Sequence, residues 1–331
     1  MTKEDKMSKF IKTTIAAMAI AGASAVAAQA ETWDMPMAYS ATNFHSVTGA
    51  KFAECVTLGT EGDLKIQTHP GGSLFSGSEI KRAIQTGQVN IGERLLSAHQ
   101  NENAMFGFDS VPFLATSFED SEALWELAKE PLTDILEDQN LHLLYSVPWP
   151  AQGLYFDREV NTLADAKGIK FRAYNTASAR MAELAGMLPV QIEAAEISQA
   201  FATGVAQGMV SSGSTGYDRK VWESLSHYYS ANAWLPRNYV LVNADAWDDL
   251  DDDIQHVMNG CAALAEYAGD WRSIQYNEFT VGQLAANGMT TGPVSDALAA
   301  ELRKIGETMT AEWLETTGPA GKKLVDAFKS R

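Results

Sequence analysis

Apolar and polar positions alternate along this chain with two different periods. Strand-like runs occur at residues 33–38, 64–68, 89–93, 141–147, 153–156 and 169–172, with shorter ones at 190–191, 208–210 and 239–242. In much of the chain between them, apolar residues recur every three to four positions, which is the spacing of a helix that packs on a core. Because strands separated by helices form βαβ units, the pattern predicts an α/β protein with a largely parallel sheet.

A longer helical pattern follows in the last third of the chain. Apolar residues recur at helical spacing from Ile254 to Ile274 and continue towards Leu284. A helix of about 30 residues extends roughly 45 Å, long enough to lie along two lobes of a protein of this size. The pattern lacks the sustained heptads of a coiled coil. We therefore expect one helix that spans both lobes.

Several aspartates precede this helix, at positions 248, 249, 251, 252 and 253. They lack the spacing and the turn glycine of a calcium-binding loop. Negative charge at the start of a helix complements the backbone dipole. We interpret them as helix-capping residues, and we expect neither a metal ion nor a cofactor.

The first thirty residues have the pattern of an export signal. Lysines at positions 3, 6, 9 and 12 precede an alanine-rich apolar run from Thr13 to Ala27, and Ala28-Gln29-Ala30 fits the small-x-small cleavage pattern. The apolar run is shorter than the ~20 residues that a membrane span needs. We expect cleavage after Ala30 and a periplasmic mature protein, with a retained membrane anchor as the alternative.

Charge limits the possible partners. The chain has 25 basic and 42 acidic side chains, and loss of a leader with four lysines and two acidic residues leaves 21 (25−4) against 40 (42−2), a net charge of −19. This balance disfavours nucleic acids and anionic membranes as partners. Local positive groups would have to hold an anionic ligand against the overall field.

Size predicts two lobes, because about 300 mature residues exceed one simple core. No flexible linker separates the lobes in the sequence, so we expect strands that cross between them. The predicted division is 31–149 plus about 241–275 for the first lobe and 150–240 plus about 276–331 for the second, with the ligand cleft between them. Nothing in the sequence requires a dimer, and we expect a monomer.

The chain has two cysteines, Cys55 and Cys261. They could form a disulfide in an oxidising compartment. Each lies in an apolar helical pattern, however, and buried free cysteine is common. We favour two buried thiols.

Enzyme motifs are absent from the sequence. It contains no G-x-G-x-x-G, no phosphate-binding lysine loop, no H-E-x-x-H and no G-x-S-x-G nucleophile turn. Its six histidines are scattered, with no pair at ligand spacing. An exported enzyme that acts on organic acids remains an alternative without positive support.

Arg172 is the strongest candidate for ligand binding. It ends the strand-like run 169–172, and a helix is predicted to begin near Thr176. The planar, permanently charged guanidinium suits two-point capture of a carboxylate. An ion pair with a neighbouring acidic side chain on the surface is the alternative.

The surrounding segment carries a family resemblance. Residues 163–175 read LADAKGIKFRAYN, which is similar to the D-x-K-G-x-K-x-R-x-x-N stretch of the solute receptors of tripartite ATP-independent periplasmic (TRAP) transporters, the DctP family. Residues 69–79, 83–92 and 201–208 resemble further family segments, and the resemblance covers Glu31 to Arg331.

The resemblance implies a periplasmic binding protein-like fold: two α/β lobes with crossing hinge strands and a long helix that spans both. It also implies that Arg172 binds the ligand carboxylate, that Asn175 assists, and that the partners are a small organic acid and the membrane subunits of a TRAP permease. Together with the chemistry of the guanidinium, it favours the carboxylate role over the surface ion pair.

Two departures from the family pattern concern the ligand. Residues 207–212 read QGMVSS where many members have D-G-Q-E-N-P, so a small hydroxyl replaces a frequent asparagine contact. Gln152 stands where sialic acid receptors place a second arginine. These differences argue against sialic acid and disfavour a compact dicarboxylate.

Further candidate ligand contacts lie near the predicted cleft. Trp149 is the strongest aromatic candidate, because Pro148 and Pro150 mark an exposed bend. The other candidates are Phe44, Glu93, Arg94, Gln152, Ser211, Ser212 and Trp234. The aromatic residues could instead belong to the core, the serines could cap a helix, and Arg94 could pair with a neighbour. Aromatic rings beside an arginine favour an aromatic or otherwise apolar monocarboxylate, with a uronate or C4-dicarboxylate as alternatives.

Overall fold

The structure is a computed structural model that describes residues 31–331; the predicted leader and its cleavage site lie outside them. The strands are β1 Glu31–Pro36, β2 Leu64–His69, β3 Ile91–Leu95, β4 Leu141–Pro148, β5 Gln152–Phe156, β6 Lys170–Ala173, β7 Leu188–Gln191, β8 Gly208–Ser212, β9 His227–Ser230, β10 Arg237–Asn243 and β11 Thr290–Pro293. The α-helices are α1 Phe44–Gly59, α2 Gly77–Gln85, α3 Phe118–Glu137, α4 Leu163–Ala166, α5 Thr176–Leu184, α6 Ile197–Ala202, α7 Gly213–Asp218, α8 Ala244–Asp248, α9 Asp252–Ala286 and α10 Asp296–Lys329.

Lobe I is built on β1–β4 and β10. β1 and β2 pair in parallel, and β3, β10 and β4 form an antiparallel sheet in the order β3-β10-β4. A single bridge between Met37 and Glu93 joins the two groups of strands. Helix α2 packs on β3, and helices α3 and α9 pack on β4. All residues of β3 and β10 are buried, including the charged Glu93, Arg94 and Arg237.

Lobe II is built on one sheet in the order β11-β9-β5-β8-β6-β7. β6 pairs in parallel with β7 and β8, whereas β5 runs antiparallel to β8 and β9. The prediction of a largely parallel sheet was therefore wrong, since both lobes contain antiparallel pairs. The reason is the connectivity: β5 and β10 enter their sheets directly from the other lobe, without a crossover helix that would restore the parallel direction.

Two connections between the lobes lie side by side, which confirms the predicted crossing strands. Residues 149–151 join β4 to β5, and residues 231–236 join β9 to β10. The backbone N–H of Trp149 donates to the oxygen of Pro236 at 2.7 Å, and that of Gln152 donates to the oxygen of Trp234 at 2.9 Å. The two connections thus form one hydrogen-bonded hinge.

Helix α9 confirms the prediction of a long helix that spans both lobes. Its 35 residues extend about 50 Å. It packs on α1 and β4 in lobe I and on α7 and β11 in lobe II. Asp251 is its N-cap residue and Asp252 and Asp253 lie in its first turn, as the capping interpretation predicted. The interpretation was wrong for Asp248 and Asp249, which are the last residue and the C-cap of α8. Within residues 31–331, none of the helices combines the length and apolar character that a bilayer crossing requires.

Cys55 of α1 and Cys261 of α9 form a disulfide with their Cα atoms 5.8 Å apart. The prediction of two free thiols was wrong. The cysteines are 206 positions apart in the chain, and only the packing of α1 against α9 brings them together. The bond ties the first helix of lobe I to the long helix.

Helix α10 was not predicted, and neither were β9 and β11. It packs against α5 of lobe II and against α3 of lobe I. The indole N–H of Trp313 donates to the backbone oxygen of Ala104 at 2.9 Å. A kink interrupts the helix at Gly318, where φ is 58° and Pro319 follows. α10 is therefore a second helical contact between the lobes.

Candidate functional site

A cavity lies between the two lobes, beside the hinge. Its lining is Tyr39, Arg94, Leu95, Ala98, Trp149, Gln152, Arg172, Tyr174, Glu193, Ala194, Ser211, Thr215 and Pro236. The centre of a water molecule can move through only about 40 Å³ of this cavity, so the enclosed space is narrow. Ligand cavities of drug-sized molecules occupy ~300–1,000 Å³. The space therefore suits a small, compact molecule.

Arg172 supplies the main positive charge of the cavity. Its side chain is 4% exposed, and its Nε donates to the backbone oxygen of Ile192 at 2.9 Å. The guanidinium carbon lies 5.0 Å from the centre of the Tyr174 ring. Within residues 31–331, the guanidinium has no ion-pair partner and its terminal nitrogens make no hydrogen bond. Burial lowers the pKa of Arg172 to about 10, so it stays charged at neutral pH. A buried cation without a counter-ion is costly, and an anion in the cavity would remove that cost.

The segment before Arg172 sets the direction of β6. Asp165 and Thr162 form a capping box at the start of α4. Gly168 then takes a left-handed conformation with φ of 78°, which a residue with a side chain adopts only with strain, and the chain turns into β6. β6 lies between β8 and the edge strand β7, so Arg172 extends from the strand next to the edge of the lobe II sheet. The D-x-K-G part of the sequence motif is thus a positioning device for the arginine.

Asn175 does not line the cavity. Its Oδ1 accepts from the backbone N–H of Ser178 at 2.8 Å and caps α5. Its Nδ2 donates to the hydroxyl oxygens of Ser97, at 3.0 Å, and Ser110, at 3.3 Å, both in lobe I. The geometry gives Asn175 two visible tasks: it starts the helix after Arg172, and it joins the lobes.

Arg94 brings a second positive charge from β3 of lobe I. Its Nε donates to Nε2 of His99 at 3.1 Å, and its Nη2 lies 3.6 Å from Oε1 of Glu193 in lobe II. Burial and the charge of Arg94 lower the pKa of His99 to about 4, so His99 is neutral at pH 7. Since Nε2 accepts from Arg94, Nδ1 carries the proton and donates to Glu102 at 2.8 Å. His99 therefore fixes the direction of the Arg94 guanidinium.

Trp149 forms an apolar wall. Its ring packs edge-on against Tyr39, with centroids 4.7 Å apart, and against Phe44, with centroids 5.4 Å apart. Its indole N–H donates to Oδ1 of Asn238 at 2.8 Å. The residue is 4% exposed, so the expected exposed bend is wrong. The bend between the two prolines lies at the hinge, where rings from lobe I cover it. Phe44 lies behind Trp149 in the core and does not line the cavity.

Gln152 and Tyr174 form the polar side near Arg172. The hydroxyl of Tyr174 donates to Oε1 of Gln152 at 3.3 Å, and Nε2 of Gln152 donates to the oxygen of Pro150 at 2.9 Å. The indole N–H of Trp234 donates to the Tyr174 hydroxyl at 2.8 Å. Trp234 is fully buried in the lobe II core, so it supports Tyr174 from behind and does not line the cavity.

The remaining candidates divide between lining and support. Ser211 lines the cavity, whereas Ser212 caps α7, its hydroxyl accepting from the N–H of Thr215 at 3.3 Å. Glu93 is buried behind the cavity: it accepts from Nδ2 of Asn238 at 3.0 Å and lies 3.5 Å from Nδ1 of His45. Burial raises the pKa of Glu93 to about 7.

The structure thus brings five predicted residues to the cavity, which are Arg94, Trp149, Gln152, Arg172 and Ser211. Five others lie behind it: Phe44, Glu93, Asn175, Ser212 and Trp234. Sequence reasoning missed the lining residues Tyr39, Tyr174, Glu193 and Thr215. Tyr174 carried a signal, since it lies two positions from Arg172 and side chains alternate along a strand. Nothing in the sequence around Glu193 indicated that it lines the cavity.

Comparisons with known proteins identify related sequences and folds. The sequence profile of the family described as bacterial extracellular solute-binding protein, family 7 (DctP), matches residues 37–316. A TRAP solute-binding protein from a marine metagenome, described as specific for pyroglutamate and crystallised with co-purified pyroglutamate, is 54% identical with a TM-score of 0.90, over 92% of this chain and 100% of that one.

Two further solved structures come from Bordetella pertussis and are described as extracytoplasmic solute receptors binding pyroglutamic acid. DctP6 is 40% identical with a TM-score of 0.89, and the match covers 91% of this chain and 100% of that one. DctP7 is 37% identical with a TM-score of 0.89, at the same coverage of 91% and 100%.

Proposed function

Because the chain belongs to bacterial extracellular solute-binding protein family 7 and is a solute receptor of a TRAP transporter, we propose that its ligand is pyroglutamate or a closely similar small cyclic monocarboxylate. Proteins of this family bind solutes for transport and do not convert them, so the chain is not an enzyme. The alternative of an exported enzyme is set aside for that reason.

The observation that carries the proposal is the isolated positive charge of Arg172. A buried guanidinium, held by one backbone oxygen and facing a small cavity, lacks a counter-ion among residues 31–331. A ligand carboxylate supplies the missing charge and two acceptors in one plane, which matches the guanidinium fork. The pair is formed out of water, where the attraction is stronger.

The rest of the cavity supports a small ring with polar edges. Pyroglutamate is a five-membered lactam: its ring carries methylene groups, an N–H, a carbonyl and one carboxylate. Tyr39, Trp149 and Tyr174 offer aromatic surface for the methylene groups, and Gln152 and Ser211 offer polar atoms for the lactam. A uronate ring is larger and carries several hydroxyls, and the narrow cavity favours the lactam. The sequence favoured an aromatic or otherwise apolar monocarboxylate. Pyroglutamate is a monocarboxylate with apolar methylene groups, but it is not aromatic.

Transport follows from closure of the two lobes over the ligand. The predicted division, 31–149 plus about 241–275 and 150–240 plus about 276–331, shifts at the second crossing, because β10 Arg237–Asn243 pairs within the lobe I sheet. The lobes rotate about the hinge. A monomer in the periplasm, cleaved after Ala30, presents the closed form to the membrane subunits of a TRAP permease. The five residues behind the cavity, Phe44, Glu93, Asn175, Ser212 and Trp234, hold its walls.

Thermal shift and calorimetry with the mature protein test this proposal. The panel contains L-pyroglutamate, D-pyroglutamate, proline, benzoate, glucuronate and succinate. A ligand at about 100 times its dissociation constant adds about 2.7 kcal/mol of stability, which raises the melting temperature of a protein of this size by about 4 °C. We expect this rise with pyroglutamate and not with proline, which has no lactam carbonyl.

Two results would count against the proposal. A rise in melting temperature with glucuronate or succinate, and none with pyroglutamate, would overturn pyroglutamate as the ligand. The proposal that the ligand is a carboxylate would remain. A folded protein that responds to none of these acids would overturn the role of Arg172 as well.

A further inference from the structure

The cavity holds a second arginine whose charge is already compensated. Arg94 comes from lobe I and Glu193 from lobe II, and both line the cavity, with Nη2 and Oε1 3.6 Å apart. Arg94 is almost fully buried, and the Glu193 side chain is 34% exposed. This ion pair lies beside the ligand space, so it contributes to the electrostatic field that a ligand meets.

The pair is held by its surroundings. His99 engages Nε of Arg94 and leaves the terminal nitrogens directed towards Glu193. Gly77, the first residue of α2, provides the room: a Cβ there would lie 2.8 Å from Nη1 of Arg94 and 3.0 Å from Oε2 of Glu193. The neutral His99 therefore orients the Arg94 guanidinium, and the absence of a side chain at Gly77 leaves room for the ion pair.

The charges of the cavity can be counted. Arg172 and Arg94 contribute two positive charges and Glu193 one negative charge, which leaves one net positive charge for the ligand. Arg219 lies outside the lining and is accompanied by the carboxylate of Asp218. A monocarboxylate balances the cavity, whereas a dicarboxylate leaves one excess negative charge in a site of low dielectric. Such an imbalance is strongly unfavourable.

We propose that Glu193 is a specificity-determining residue: it occupies Arg94 as an internal counter-ion and so restricts the site to monocarboxylates. This inference rests on the proposed function, since it assumes that Arg172 holds the ligand carboxylate. In the wild type, Arg94 then pairs with Glu193 and does not bind a second anionic group of the ligand. Without Glu193, Arg94 becomes available to a second carboxylate of the ligand.

The test compares Glu193→Gln with the wild type in calorimetric titrations of L-pyroglutamate and of glutarate, an open-chain dicarboxylate with the same number of carbons. Gln keeps one oxygen and nearly the same shape, so the substitution removes the negative charge and replaces one acceptor oxygen with an NH2 group. Glu196→Gln is the matched control, since it is exposed, lies three residues further on, makes the same change in net charge and does not line the cavity. Its side-chain oxygen can still accept from the backbone N–H of Glu193.

We expect the wild type to bind pyroglutamate at least about 100-fold more tightly than glutarate. In Glu193→Gln the affinity for glutarate should rise about tenfold or more, while that for pyroglutamate changes much less. Adding Arg94→Gln to Glu193→Gln should reverse the gain, because the two sites are coupled. Glu196→Gln should resemble the wild type for both ligands.

An unchanged ratio of the two affinities in Glu193→Gln would overturn the inference. An equal loss for both ligands would also overturn it and would make Glu193 a contact that only holds the lobes closed. Failure of the proposed function is a different result: the wild type then binds neither pyroglutamate nor another monocarboxylate, or binds it equally well without Arg172.

Discussion

The Nε of Arg172 donates to the backbone oxygen of Ile192 at 2.9 Å. Ile192 directly follows β7, the strand that pairs with β6, so the edge of the lobe II sheet orients the guanidinium. This hydrogen bond uses the Nε–H of Arg172 and leaves the two terminal nitrogens, Nη1 and Nη2, without a protein partner among residues 31–331. The other donors of the fork remain for the ligand, and because the arginine is fixed before binding, little conformational entropy is lost on capture.

Gly77→Ala should weaken ligand binding without weakening the fold. Gly77 starts α2 with an ordinary helical backbone, so alanine fits the helix and improves its propensity. The new methyl group would lie 2.8 Å from Nη1 of Arg94, 3.0 Å from Oε2 of Glu193 and 3.3 Å from Cβ of Ala38, so the ends of the two charged side chains must move. We expect an affinity loss of about tenfold, or roughly 1.4 kcal/mol, in calorimetric titration, and an unchanged or slightly higher melting temperature of the ligand-free protein.

Gly260→Ala is the control for that substitution. Gly260 lies within α9, and a Cβ there meets no atom within 4 Å. The variant should gain a few tenths of a kcal/mol up to about 1 kcal/mol in stability and keep the wild-type affinity. If Gly77→Ala binds the ligand as tightly as Gly260→Ala does, the close fit of the Arg94–Glu193 pair has no part in binding.

Removal of the disulfide should lower stability but not affinity. Cys55 and Cys261 close a loop of more than 200 residues, and such a long loop loses much entropy in the unfolded chain, about 2–5 kcal/mol. The paired substitution to alanine should therefore lower the free energy of unfolding by about that amount in urea titrations. Neither α1 nor α9 lines the cavity, so the dissociation constant should stay within about twofold. A large loss of affinity would show that the bond shapes the binding site.

Glu93→Gln should change how stability depends on pH. Burial raises the pKa of Glu93 to about 7 in the folded protein, above its usual value of 4.5. The folded state therefore binds more protons than the unfolded chain between these values. The contribution of this group to stability is fully present below about pH 4.5 and is lost as the pH rises through 7. Glu93→Gln has no carboxyl group to ionise at this position, so it does not lose this stability as the pH rises.

The measurement is the free energy of unfolding of wild type and Glu93→Gln at several pH values between about 5 and 9. Asp109 and Asp270, whose pKa values burial also raises to about 7, and His45, whose pKa burial lowers, are present in both proteins. The difference between the curves thus isolates Glu93. As the pH rises, the free energy of unfolding of the variant should increase relative to that of the wild type, by at most about 1.4 kcal/mol per pH unit. Parallel curves would contradict the raised pKa.

Local patterns made part of this structure predictable. Arg172 lies in β6 and is followed by the N-cap residue of α5, Asn175, so strand, arginine and helix cap lie within one short segment. The helical spacing of apolar residues made α9 predictable, although Leu264, Trp271 and Ile274 of that pattern are exposed and do not pack in the core. Trp149 was found because its two flanking prolines mark a bend, although the bend is buried by rings from distant parts of lobe I.

Features that depend on packing left no trace in the sequence. Glu193 reaches the cavity because lobe II faces β3 of lobe I, and nothing around Glu193 indicates this neighbour. The pairing of Cys55 with Cys261 depends on how α1 lies on α9. Strand direction is likewise absent from hydrophobic periodicity, so the antiparallel position of β5 could only be learned from the connections between the lobes.

The most direct test of the account is a calorimetric titration of pyroglutamate into Arg172→Ala. Arg158→Ala is the control, since Arg158 is an exposed arginine paired with Asp157 and does not line the cavity. The account predicts that Arg172→Ala loses at least about 100-fold in affinity, or roughly 3 kcal/mol, while its cooperative unfolding is kept, and that Arg158→Ala binds like the wild type. A folded Arg172→Ala variant that binds pyroglutamate within a few-fold of the wild type would contradict the account.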